Sequence, residues 1–101
     1  MIVIEKNVGP KIFWEEFGNK VCFDDDLTIN LSKREEDDPV HIDVCYDQDK
    51  NLVIGAAAGR YYVAEIDIPA REYHEVGEEE EAHLEPVPFD MDKVTLTLWA
   101  I

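Results

Sequence analysis

The sequence predicts a mainly β fold, a compact antiparallel sandwich or small barrel with at most one short helix. Three observations carry that expectation. Apolar and polar residues alternate with the period of a half-buried strand over residues 27–33, 40–46 and 94–101. Clusters of Asp, Asn, Gly and Pro separate these runs and supply turn chemistry. No stretch sustains a helical period over several turns.

Taken in order, residues 1–6 form a β-branched run that reads as a first strand, broken by Asn7, Gly9 and Pro10. Residues 11–17 hold Ile12, Phe13, Trp14 and Phe17 around Glu15 and Glu16, which suits one helical turn or a strand equally. Residues 20–23 read as a short strand, and Asp24-Asp25-Asp26 as a turn. In the next strand Leu27, Ile29 and Leu31 alternate with Thr28, Asn30 and Ser32. A polar loop closed by Pro39 follows it. Residues 40–46, 52–57 and 60–68, separated by Asp47-Gln48-Asp49-Lys50-Asn51 and by a tight turn at Ala58-Gly59, read as a three-stranded meander. Tyr62, Ala64, Ile66 and Ile68 would share one face of its last strand. Residues 71–76 extend that strand or form an edge. The acidic stretch at about 77–88, with Glu78 to Glu81 in succession, reads as a mobile loop or the tip of a long hairpin. The final strand at 94–101 must be tied into the sheet.

The chain has 101 residues, enough for one domain and for a core that needs no staples. A hydrophobic fraction of 46% argues against wholesale disorder. Its charge balance is the unusual feature: 24 Asp and Glu against 9 Lys and Arg, a formal −15. Such a chain is repelled by nucleic acid and by anionic membrane surfaces, and attracts basic proteins or cations. Acidic side chains also promote solubility and protect sheet edges from pairing. Cys22 and Cys45 read as small buried hydrophobes, with a disulfide open only if their strands are neighbours. The N-terminal residues carry no leader pattern and no run reaches a membrane span, so a cytoplasmic setting is expected.

Candidate chemistry is sparse. His41, Asp43 and Cys45 share a strand face, but residues two apart on a strand are nearly 7 Å apart, too far for three of them to hold one ion easily, so no metal site is expected. Asp47-Gln48-Asp49-Lys50-Asn51 opens like a calcium loop, yet Leu52 stands where the turn glycine belongs and Ala58 where the closing glutamate belongs. Ser32 is the only serine and lies in no nucleophile elbow. His74 and His83 lie beside carboxylates that favour the imidazolium, the wrong bias for a general base. The run from Gly55 to Gly59 lacks the lysine and hydroxyl of a phosphate cradle and suits close packing instead. No enzyme activity and no cofactor are expected. Tyr61, Trp99 and Ile101 are the candidate interface residues, as aromatic and apolar groups on a sheet face.

The C-terminal third, from Ile68-Pro69-Ala70-Arg71-Glu72-Tyr73 through Pro86-Val87-Pro88-Phe89-Asp90-Met91-Asp92-Lys93 to Trp99, resembles small uncharacterised proteins of bacterial prophage regions. That resemblance implies a mobile-element setting and brings no site or activity. The leading expectation is a non-enzymatic interaction or structural module with a protein partner or self-association, and no direct contact with nucleic acid or membrane. Two alternatives stand beside it: a DNA-mimicking inhibitor of a nucleic-acid enzyme, and a divalent-cation-dependent enzyme using Asp24 to Asp26, Asp47 and Asp49.

Overall fold

Strand β10 (Thr95–Leu98) lies inside a five-stranded sheet, between the first strand β1 (Ile2–Glu5) and β7 (Tyr61–Ile68). The sheet continues through β5 (Val40–Tyr46) to β6 (Leu52–Ile54), giving the order β1-β10-β7-β5-β6. Pairing is antiparallel except between β1 and β10, where Ile2 lies opposite Thr95 and Glu5 opposite Leu98 in parallel register. A three-stranded antiparallel sheet comprises β2 (Trp14–Phe17), β3 (Lys20–Phe23) and β4 (Leu27–Asn30). A separate hairpin joins β8 (Tyr73–Val76) to β9 (His83–Pro86). The computed structural model describes residues 1–57, 59 and 61–101. The turn expected at Ala58-Gly59 and the strand start expected at Arg60 therefore fall partly outside the described residues. The mainly β class is as the alternation predicts, and the described residues contain only short 3-10 turns as helix.

One core joins the two larger sheets. Val21, Phe23 and Ile29 of the smaller sheet meet Ile42, Val44, Ala64, Ile66, Leu96 and Leu98 of the larger in a single buried cluster. Burial of each Val, Ile, Leu or Phe among them stabilises the fold by about 1.5–3 kcal/mol. Phe23, with no exposed surface, is the largest fully buried side chain. The ambiguous segment at 11–17 resolves as strand: Trp14 pairs with Phe23 and Phe17 with Lys20, while the Asp24 amide donates to the Phe13 carbonyl. Asp24 and Asp25 both take positive φ, 54° and 51°, and their short polar side chains tolerate that conformation in the β3–β4 turn.

Several expectations are corrected. The strand expected over 27–33 ends at Asn30, because Leu31–Arg34 forms a 3-10 turn that buries Leu31 and lets its amide donate to the Asn19 carbonyl. The segment 40–68 holds three strands but not a meander, since β5 lies between β6 and β7. Strand β7 buries Val63, Ala64, Ile66 and Ile68 and so belongs inside the sheet, whereas three-residue β6 suffices for an edge. The shared face expected for Tyr62, Ala64, Ile66 and Ile68 fails at Tyr62. A register shift places Val44 opposite Ala64 but Cys45 opposite Tyr62, so Val63 is the extra residue of a bulge. Val63 turns into the core and Tyr62 is left 39% exposed.

The acidic stretch is partly strand, with His83–Pro86 paired to Tyr73–Val76 and a 3-10 turn at Glu79–Glu81 forming the tip. This hairpin buries no side chain of its own. Its root is fastened where Arg71 donates to Asp37 and the Glu35 carbonyl, Tyr73 to Asp37, and Lys93 to Glu72. The molecule measures 58 × 23 × 22 Å, with a radius of gyration of 16.4 Å. A compact chain of this length would have about 13 Å.

Candidate interaction surface

The outer face of the five-stranded sheet carries the most chemistry, and its layout follows from strand register. Residues opposite one another across a ladder point to the same side. On β5 and β7, His41 stands opposite Asp67 and Asp43 opposite Glu65, while Ile42 and Ile66 point into the core. On the other side of β7, Glu65 lies opposite Thr97 and Asp67 opposite Thr95. Ile2 and Ile4 of β1 complete the same two rows, 52% and 47% exposed.

The His41 ring lies among three carboxylates. Its Nδ1 is 2.6 Å from Asp67 Oδ1, and its Nε2 is 2.8 Å from Asp43 Oδ1 and 3.5 Å from Glu65 Oε1. The imidazolium is favoured, chiefly by the hydrogen bond to Asp67, against which partial desolvation works, and further by Asp43. Glu65 is held from its other side, where the indole Nε1 of Trp99 donates to Oε2 at 2.8 Å. The Trp99 ring stacks on Tyr62 with centroids 5.4 Å apart and an interplanar angle of 26°. Lys6 Nζ lies 5.6 Å from the Trp99 centroid.

At the end of β5 and β7, Tyr46 lies opposite Tyr61 on the side of Ile42 and Val44, and Tyr62 lies opposite Cys45 on the outer side. There a groove of about 610 Å³ is lined by Asp24, Tyr46, Lys50, Tyr61, Tyr62, Ala100 and Ile101. Tyr61 is 67% exposed and Ile101 53%. Two of the three residues singled out from sequence, Tyr61 and Ile101, thus line one groove. Trp99 lies behind its wall, turned toward Glu65. The chain past β10 is fixed by the Trp99 amide donating to Val63, Ala100 to the Asn7 side chain and Ile101 to Pro10. Tyr46 and Tyr62 both hold their phenol protons more tightly than usual. Burial is the main cause for Tyr46 and the nearby Asp43 charge for Tyr62.

Sequence spacing missed Tyr62 as a groove residue because the bulge that brings it outward leaves no mark in the alternation. It missed Tyr46 because its alternation with Ile42 and Val44 marks it only as packed against the core. Spacing also set aside a cluster at His41 on the ground that Asp43 and Cys45 are too far along the strand. The third member comes instead from the neighbouring strand, as Glu65. A His-x-Asp opposite a Glu-x-Asp was the available signal, but only register aligns them.

The turn clusters have local explanations. Asp47 Oδ1 accepts from the amides of Asp49 and Asn51, at 2.8 and 2.9 Å, which is turn chemistry. Cys22 and Cys45 are free and buried. Burial pushes the Cys45 thiol pKa up. Gly59 packs so closely on Cys45 that an added Cβ would lie 2.4 Å from the Cys45 Cβ. Among the described residues, no helix is long and apolar enough to cross a membrane. No protein-family model, curated protein or solved structure matches the chain.

Proposed function

We propose that this chain is a non-enzymatic protein-interaction module whose tyrosine-lined groove receives a basic segment of a partner protein. The observation that carries the reading is the convergence of Tyr46, Tyr61, Tyr62 and Ile101 on one groove of a chain with net charge −15. Tyrosine faces give large contact area at low entropic cost and attract Lys and Arg side chains. The surrounding negative field speeds encounter with a basic partner and opposes a second copy of the same chain. A prophage setting, taken from the resemblance of the C-terminal third, belongs to the same proposal.

The test uses short synthetic peptides that vary in Lys, Arg and aromatic content, titrated against the purified protein with amide chemical shifts as readout. Basic peptides should shift resonances around Tyr61, Tyr62 and Ile101, with affinity falling as salt rises. Tyr61→Ala with Ile101→Ala should weaken binding at least tenfold while leaving the circular dichroism spectrum unchanged. Shifts confined to the Glu79–Glu81 hairpin tip, or a concentration-dependent dimer built on the groove, would overturn the assignment.

A DNA-mimicking inhibitor is the second reading, favoured by the elongated 58 × 23 × 22 Å shape. It is the weaker one on charge density. Fifteen net charges along 58 Å give about one per 4 Å, less than half the duplex value of about one per 1.7 Å. Displacement of duplex DNA from a basic DNA-binding protein, undiminished by Tyr61→Ala, would reverse that preference.

A further inference from the structure

We propose that His41 Nε2, Asp43 and Glu65 form a binding site for a borderline divalent transition-metal ion of the zinc class. The three ligand atoms lie within 4.8 Å of one another. Two of the separations are 2.8 Å, Nε2 to Asp43, and 3.5 Å, Nε2 to Glu65. Ligands about 2.0–2.2 Å from a tetrahedral ion stand about 3.4 Å apart, so small side-chain rotations complete the set. The His41 side chain is 47% exposed, which leaves a path for the ion and a coordination position for water.

Two features distinguish this cluster from acidic side chains meeting by chance. The first is the arrangement behind the ligands. Asp67 engages His41 Nδ1, which fixes the ring and directs Nε2 at the other two carboxylates. Trp99 donates to the far oxygen of Glu65, which directs the near one at His41. Metal-binding histidines and carboxylates are held from behind in this way. The second feature is charge. Among the described residues, the ion pairs of Asp43, Glu65 and Asp67 all run to His41. One imidazole therefore serves three carboxylates, and with Nδ1–H committed to Asp67, Nε2 needs either a proton or a metal between it and two anionic oxygens. Imidazole with two carboxylates suits zinc or manganese better than calcium, which prefers oxygen alone.

The experiment titrates ZnCl2 into chelator-treated protein and follows heat, Trp fluorescence and the His41 ring nitrogen resonances. One ion per chain should bind, with Nε2 shifted and Nδ1 retaining its proton. Binding should be weaker at pH 6 than at pH 7.5, because the proton competes for Nε2. His41→Ala and Asp43→Asn should each weaken binding at least tenfold. Asp67→Asn should cost about tenfold, the lower end for loss of a group that orients a ligand. A Cys22→Ala, Cys45→Ala variant should bind zinc as the parent does, which separates this site from the thiols. Unchanged affinity in folded His41→Ala, or no binding at millimolar zinc, would overturn the site. So would binding that disappears with the cysteines.

Discussion

Trp99 joins three interactions, so its substitution tests how the outer face of the sheet is held. Trp99→Phe keeps an aromatic ring against Tyr62 and beneath Lys6 but removes the indole N–H that donates to Glu65 at 2.8 Å. A hydrogen bond to a charged acceptor contributes about 1.5–3 kcal/mol when shielded. The Glu65 side chain keeps 23% of its exposure, so solvent screening brings the expected loss to about 1 kcal/mol. Trp99→Ala also removes the ring stack and the Lys6 contact, raising the loss to about 3 kcal/mol. Urea unfolding followed by far-ultraviolet circular dichroism measures both. A double-mutant cycle of Trp99→Phe with Glu65→Ala isolates the shared term. A coupling below about 0.3 kcal/mol would refute the claim that the indole holds Glu65.

Three further outcomes are expected. Phe23→Ala should destabilise by about 3–5 kcal/mol in denaturant titration, because Phe23 is fully buried where the two larger sheets meet. Gly59→Ala should cost about 1–3 kcal/mol, since its Cβ would press on Cys45, and pairing it with Cys45→Ala should not restore stability while the two Cβ atoms still collide. The His41 pKa is raised above 6.5 in the folded state, so its stabilising effect is full below about pH 6.5 and fades as pH climbs through the folded value. Melting temperatures in chelator should therefore separate wild type from His41→Gln most at about pH 6 and least at high pH. A gap that grows with pH would contradict the carboxylate contacts.

The strands that carry the core, β4, β5, β7 and β10, were legible from side-chain period, because one-sided burial writes itself into alternation. Residues 40–46 and 94–98 show this best: Ile42, Val44, Leu96 and Leu98 are buried while their polar neighbours are not. Pairing was less legible. Order among β5, β6 and β7 depends on which strand needs cover on both edges, a property of the assembled sheet. The bulge at Val63 exchanges faces for Tyr62 without altering composition. Tyr61 and Ile101 were singled out as apolar groups on a polar face, yet the bulge places Tyr61 opposite Tyr46 on the core side, so Tyr61 reaches the groove from a face the alternation did not give it. The His41 cluster could not, since Asp43 lies on its own strand but Glu65 and Asp67 reach it only through register.

The parallel pairing of β1 with β10 bears on how the fold is reached. Ile2 meets Thr95, so almost the whole chain must be looped before that contact forms. Closing so long a loop costs entropy before any ladder bond returns it, and folds rich in such contacts form slowly. The local hairpins β2–β3 and β3–β4 can form early, as can the pairing of β5 with β6, because each joins neighbours in the chain. Strand β7 then keeps one side unpaired until β10 arrives, and β1 has no template before that. The pairing of the first strand of the sequence is thus the contact of this sheet that carries the largest loop-closure cost.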